Sequence, residues 1–245
     1  MKSIITSAPG KIVIIGEFAV LKNAPSISMA INRRAIVSIK KIQDSSHIIK
    51  THGIVESEWR FNESESEEFI WLGSEPQKNI LELFVLFWRK VKIESNIKFK
   101  FSLDTSMFFD PIKKNKLGLG SSSALIVAMS IAFIKFFDIS ENINDFAHQI
   151  HSEFQSGLGS GVDVQTALDG GLIRYLRQEK DNATGIKFPN NFMYKILWSG
   201  KPVSTAQKLK SLKALEGDIF QEFSEITRKL SSHWTLYDKK SFVDD

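Results

Sequence analysis

The stretch KLGLGSSSALIVA, residues 116–128, decides how the rest of the chain is read. A short loop whose side chains are almost all hydrogen or hydroxymethyl, Gly118 to Ser123, runs without a break into the apolar segment Ala124 to Phe137. That segment is apolar nearly all round, which predicts a buried central helix rather than a surface one. A Gly/Ser loop feeding a helix offers unpaired backbone N–H groups, the positive end of the helix dipole, and no side chain large enough to keep a phosphate away. A flexible linker or an ordinary capping turn has the same composition, but a linker does not need a buried helix behind it. Lys113, Lys114 and Lys116 just upstream favour an anion, although a three-lysine turn is equally what a solvated loop contains.

Known phosphate and nucleophile signatures fail on this loop. No Lys-Ser or Lys-Thr follows at P-loop spacing, and the third glycine of a dinucleotide fingerprint is missing. Neither Ser121 nor Ser160 has glycines two residues away on both sides, so a hydrolase elbow is excluded.

Outward from the loop the chain reads as strands first, then helices. Ile12–Ile15 is a β-branched run bounded by Pro9-Gly10 and Gly16, Ala35–Ile39 follows, and His47–Thr51 with Ile54–Phe61 suggest a hairpin. The acidic run Glu63–Glu68 reads as a solvated loop. Asn79–Val91 has a helical apolar face, and Ile97, Phe99, Phe101 and Leu103 alternate with Lys98, Lys100 and Ser102 as in a half-buried strand. Glu141–Gln155 is amphipathic, a second glycine turn spans Gly157–Gly161, and Asp163 opens the short segment Val164–Leu168 ahead of a strand at Leu172–Leu176. Beyond about Gln178 come a polar loop, a strand over Phe192–Trp198, and helices over Thr205–Leu215 and Asp218–Leu230. Strands and helices in this order predict an α+β fold, divided into residues 1–177 and 178–245.

Composition excludes several classes. The chain has 245 residues, 42% hydrophobic and 24% charged, which is enough apolar content to build a core and argues against disorder. With no cysteine there is no disulfide framework, thiolate metal site or cysteine nucleophile, which fits a cytoplasmic setting. Pro9-Gly10-Lys11 interrupts the amino-terminal apolar stretch where a secretion signal needs its core, and the longest apolar run, Ala124–Ile134, is too short to span a bilayer. A net charge of +4, spread along the chain, gives no nucleic-acid stripe. The expected partners are therefore neither nucleic acid nor membrane.

The loop has companions in the chain: Ser7-Ala8-Pro9-Gly10-Lys11, Gly16-Glu17, and Gly159-Ser160-Gly161-Val162-Asp163. Together with the loop they resemble the three-part layout of the GHMP kinases, small-molecule kinases named for galacto-, homoserine, mevalonate and phosphomevalonate kinases, over roughly residues 7 to 205. SAPGKIVIIGEFAVL looks like the amino-terminal motif of the mevalonate and phosphomevalonate branch. Phe18 stands where mevalonate kinases usually have His. HSEFQSGLGSGVDV, residues 151–164, is similar to the phosphomevalonate kinase form H-x-x-A-Q-G-x-x-G-S-G-x-D-V, and Trp198–Thr205 is similar to a segment of that branch.

The resemblance implies a ribosomal protein S5 domain 2-like amino-terminal domain followed by a ferredoxin-like carboxyl-terminal GHMP domain, here incomplete. It implies an ATP- and Mg²⁺-dependent kinase acting on a small anionic acceptor, with 5-phosphomevalonate as first choice and mevalonate next. A sugar or sugar-phosphate kinase of the same superfamily is the alternative enzyme, and a catalytically impaired nucleotide- or metabolite-binding module is the alternative of another class. By motif position, Gly118, Leu119, Gly120, Ser121, Ser122 and Ser123 would hold the ATP phosphates, Ser122 would also help hold Mg²⁺, and Asp163 with Lys11 would be catalytic. Glu17, Gly159, Ser160, Gly161 and Ser204 are candidate substrate contacts. Glu153 is a candidate Mg²⁺ ligand, one residue off the family spacing; a solvent-facing carboxylate explains it equally well. His151 matches the motif, with a helix-surface imidazole as the plainer account, and Asp163 alone could be an N-cap. A homodimer is left open.

One departure stands out. The family's third glycine-rich motif is not found after residue 199, where the glycines are Gly200 and Gly217. This implies either a truncated carboxyl-terminal domain or a divergent short form with impaired transfer.

Overall fold

The computed structural model describes residues 2–53, 55–64, 68–77, 81–91, 93, 97–177, 182–188, 192–200 and 218–236. Two long strands, β1 (Ser3–Ile15) and β2 (Ser26–Ile42), form an antiparallel pair running from Ser3 opposite Lys40 to Ile15 opposite Ile27. The expected short strand at Ile12–Ile15 is thus the end of a longer one, which passes through Pro9-Gly10 instead of starting after it. The register shifts between Pro9 and Gly10, where a residue without an N–H can be accommodated in a ladder.

Six further strands complete the sheet: β3 (His47–His52), β4 (Ser57–Glu63), β5 (Phe69–Leu72), β6 (Lys98–Asp104), β7 (Leu172–Tyr175) and β8 (Ala183–Ile186). Their order is β5-β4-β3-β6-β2-β7-β8, with β1 on β2. Among the described residues only β3 and β6 run parallel, so the sheet belongs to a mixed α+β fold. The alternation at residues 97–103 is realised in β6, where Phe99, Phe101 and Leu103 are buried. β8 extends the sheet past Gln178 by pairing with β7.

Helices α1 (Glu82–Val91), α2 (Ser121–Phe136), α3 (Ile143–Phe154), α4 (Val162–Asp169) and α5 (Asp218–Leu236) supply the other layer. As its composition predicts, α2 is buried nearly all round, through Ala124, Ile126, Val127, Ala128, Met129, Ala132, Phe133, Ile134 and Phe136. It packs on β1 and β2 and is flanked by α3 and α4. Thr6 Oγ1 on β1 donates to the Ala128 carbonyl at 2.7 Å, fixing the helix along the strand. α3 begins with Asn142, whose side chain accepts from the N–H groups of Asn144 and Asp145, a conventional N-cap. No described helix is long and apolar enough to cross a membrane.

Two expectations change. Residues 192–198 do not form a strand. Met193 and Leu197 are 93% and 90% exposed, and the run joins no strand ladder among the described residues. The helix at 218–230 continues to Leu236, where Trp234 is buried against Ile27, Met29 and Leu172 and its Nε1 donates to the Lys187 carbonyl at 3.0 Å. The Thr205–Leu215 helix and Ser204 lie outside the described residues.

His47 lies inside an aromatic cluster. Its ring stacks on Phe61 at 4.9 Å and meets Trp88 edge-on at 4.9 Å, while the Phe99 N–H donates to Nδ1 at 3.3 Å. Burial pushes its pKa down to about 4. Because the folded value lies below the unfolded one, the folded state binds fewer protons, and stability is lost as pH falls from about 6.5 toward 4. The urea midpoint is therefore expected to fall between pH 7 and pH 5, and His47→Gln, which cannot titrate, should reduce that fall; an equal fall in the variant would contradict this role.

Candidate active site

The residues singled out as chemical meet at one end of the β1–β2 pair. Lys11, just past the register shift in β1, donates its backbone N–H to the Leu119 carbonyl at 2.9 Å, so the glycine loop is tied to the strand itself. Gly10 makes that approach feasible: a Cβ there would lie 2.5 Å from the Leu119 carbonyl oxygen and 2.5 Å from Phe108 Cε1. Gly118 and Gly120 have φ of +77° and +78°, left-handed backbone that side chains disfavour. The Lys11 side chain crosses Gly120, where a Cβ would meet Lys11 Cγ at 2.8 Å. Glycine is therefore required by contact at position 10, and by contact and dihedral together at position 120.

Gly120 is the N-cap of α2, with no side-chain cap, and the Ala124 N–H is the one that bonds back to the Gly120 carbonyl. The N–H groups of Ser121, Ser122 and Ser123 are left as the orphan donors of a helix start, aimed where an anion gains from the helix dipole. Ser121 and Ser123 are buried and Ser122 is half-buried, so Ser122 is the hydroxyl of the three with most access to a ligand.

From the loop the Lys11 side chain runs to Asp163: Nζ to Oδ1 is 2.7 Å, with the two side chains 12% and 22% exposed. Asp163 sits in the first turn of α4, and the cap position falls to Gly161, at φ +86°. The N-cap account of Asp163 is thereby corrected; glycine takes the left-handed residue and leaves the carboxylate to Lys11. The turn before α4 is fastened by Tyr175, whose hydroxyl donates to the Ser160 carbonyl at 2.9 Å, and a Cβ on Gly161 would lie 2.9 Å from that hydroxyl oxygen.

A cleft opens beside this pair, lined by Lys11, Glu17, Phe18, His151, Gln155 and Asp163 together with Leu21, Leu158, Gly159, Ser160 and Val162. Of the candidate substrate residues, Glu17, Gly159 and Ser160 line it directly and Gly161 caps the adjoining helix. Glu153 is not brought there. It points away along α3 and pairs with Lys90 of α1 at 2.5 Å, so a carboxylate placed by near-motif spacing is held by a lysine on the neighbouring helix.

His151 is the residue that sequence reasoning undervalued. It is 4% exposed, not a helix-surface imidazole, because the 157–161 turn folds back over it; a Cβ on Gly159 would lie 2.7 Å from His151 Cε1. Burial pushes its pKa down to about 4, with the Asp163 charge opposing and His148 and Lys11 assisting. Gln155, one turn further along α3, was also missed. The available signal was the spacing His148, His151, Gln155 at i, i+3 and i+7 of one helix. His148 itself is spoken for, its Nε2 donating to Gln165 Oε1 at 2.8 Å while the Gln165 amide donates to Asp169 at 3.0 Å.

Comparison with known proteins adds a family frame. The family model described as GHMP kinases N terminal domain matches residues 80–171, which include the glycine loop, α2 and Asp163. Mevalonate kinase of Pyrococcus furiosus is 28% identical over 193 residues, covering 76% of this chain and 55% of that protein. Phosphomevalonate kinase of Saccharolobus solfataricus is 27% identical over 229 residues, covering 91% of this chain and 65% of that one. Among solved structures, Streptococcus pneumoniae phosphomevalonate kinase in complex with phosphomevalonate and AMPPNP superposes with a TM-score of 0.70 at 15% identity, over 98% of this chain and 77% of the other, a likeness of fold. The chain spans little more than half to two thirds of the length of these curated relatives.

The close approach of β1 to the loop predicts that Gly10→Ala forces Leu119 or Phe108 to move, costing about 1–3 kcal/mol. The cost should appear as a lower denaturation midpoint together with weaker ATP binding by calorimetry. An Ala variant with unchanged stability and unchanged ATP affinity would contradict the tight docking of the loop on the strand.

Proposed function

We propose that this chain, which matches the GHMP kinases N terminal domain model over residues 80–171 and is similar to mevalonate and phosphomevalonate kinases, transfers the γ-phosphate of ATP to 5-phosphomevalonate, with mevalonate as the second acceptor. The observation that carries the proposal is the Lys11–Asp163 pair at 2.7 Å, set between a glycine loop with free N–H donors and a separate cleft. Phosphoryl transfer needs positioning, charge neutralisation and an oriented nucleophile, and these elements divide those tasks.

The N–H groups of Ser121, Ser122 and Ser123 hold the ATP phosphates. An acceptor oxygen in the cleft attacks the γ-phosphorus as the bond to the β,γ-bridging oxygen breaks, and ADP leaves with that electron pair. Lys11 offsets charge on the transferred group. Asp163 holds Lys11 in place and receives the acceptor's proton where the attacking oxygen carries one, as a hydroxyl does. Phe18, Leu21, Leu158 and Val162 give the cleft an apolar side, which suits an acceptor with a hydrocarbon body better than a sugar bearing hydroxyls all round.

Mg²⁺ fits this donor set as an ion shared with the nucleotide. No cluster of three His, Asp or Glu side chains exists among the described residues, and Mg²⁺ favours phosphate oxygens, water and few protein ligands. Ser122 would be its protein hydroxyl, Glu153 being held by Lys90. When bound, the ion would neutralise charge on the β- and γ-phosphates.

ADP release measured with 5-phosphomevalonate, mevalonate, homoserine and galactose tests the reading. The largest kcat/KM is expected with 5-phosphomevalonate; ATP binding without turnover of any acceptor would point instead to a binding module. Asp163→Asn should lower kcat about 10³-fold or more while leaving ATP affinity within a few-fold. Undiminished turnover in that variant would remove Asp163 from the chemistry.

A further inference from the structure

Two polar side chains in the cleft have no hydrogen-bond partner among the described residues. His151 is buried, and its Nε2 is a buried nitrogen without a hydrogen bond among the described residues. Gln155, half-buried one helical turn later, has no side-chain hydrogen bond among the described residues either; its Oε1 lies where a Cβ on Gly159 would come within 2.3 Å. Both line the cleft with Lys11 and Asp163. The contrast with their neighbours on α3 is informative. His148 is bonded to Gln165 and Glu153 to Lys90, whereas the two side chains that line the cleft, His151 and the C-cap residue Gln155, have no such bond among the described residues.

A buried polar atom left without a partner destabilises the fold by roughly 1–3 kcal/mol, and a site built to hydrogen-bond a ligand is a physical reason for one to persist. The nucleotide is not that ligand, because the glycine loop that would hold its phosphates is not part of the cleft lining. The charged groups around His151 are Lys11 on β1, Asp163 on α4 and His148 on its own helix. Burial keeps the imidazole neutral, so it can donate one hydrogen bond without adding a second cation to the one Lys11 already provides.

We propose that His151 and Gln155 are the acceptor-recognition pair of this site, donating hydrogen bonds to oxygens of the small anionic acceptor at the end away from its reacting oxygen. The assignment rests on the kinase reading given above. Gly159 is part of it: without a Cβ the turn lies close against both side chains. The acceptor thus spans the cleft, its reacting oxygen at Lys11 and Asp163 and its far end at α3.

Steady-state kinetics of wild-type protein, His151→Leu, Gln155→Leu and His151→Gln, with 5-phosphomevalonate and mevalonate varied separately from ATP, provide the test. Each Leu variant is expected to raise the acceptor KM by about tenfold or more, with the ATP KM within twofold and kcat within a few-fold. His151→Gln, which restores a donor, should recover part of the loss. Acceptor KM values within twofold of wild type in both Leu variants would overturn the inference while leaving the kinase reading intact. Absence of turnover in the wild type would overturn both. Thermal melting accompanies each variant; if His151→Leu does not fold, Gln155→Leu at its half-exposed position decides the outcome alone.

Discussion

Lys11 is held twice, and the site depends on it. Its backbone N–H fixes Leu119 in the glycine loop at 2.9 Å and its ammonium fixes Asp163 at 2.7 Å. One residue thereby sets the separation between the place where phosphate would lie and the place where the acceptor would react. The ion pair is mostly withdrawn from solvent, so removing either partner leaves a poorly hydrated charge, a larger loss than deleting an exposed pair.

The rest of the fold serves to keep that residue still. β1 and β2 pair on both sides of the register shift beside Lys11, and α2 packs on both, its Phe133 set among Phe84, Phe87 and Phe101. A helix that is apolar all round cannot slide or rotate without exposing part of that surface, which costs about 25 cal/mol per Å². The donors at its N-terminus are consequently preorganised, the condition under which backbone N–H groups stabilise charge most effectively. On the other side, Tyr175 fastens the Ser160 carbonyl, and α4 presents Asp163 from a glycine-capped start.

Much of this was legible in the sequence where the physics is local. Alternation marked β6, all-round apolarity marked α2, and the three glycine-bearing motifs located Lys11, the loop and Asp163 in chain order. What escaped were features decided by partners distant in sequence. β5 follows an acidic run and exists because Phe61 and Asn62 of β4 offer a ladder to Trp71 and Ile70. The apolar run at 192–198 has strand composition but joins no strand among the described residues. Glu153 and His151 sit two residues apart on one helix, yet Lys90 captures the first and the glycine turn buries the second; periodicity alone gives both a solvent-facing account.

The central claim is that the N–H groups at the start of α2, tied to Lys11, form the phosphate site. Backbone amide chemical shifts followed by NMR during titration with AMPPNP and Mg²⁺ test it most directly. The account predicts that the largest changes fall on Gly118 through Ser123 and on Lys11, with smaller ones at Asp163. Saturable shifts confined to other surfaces, or none at millimolar nucleotide, would contradict it.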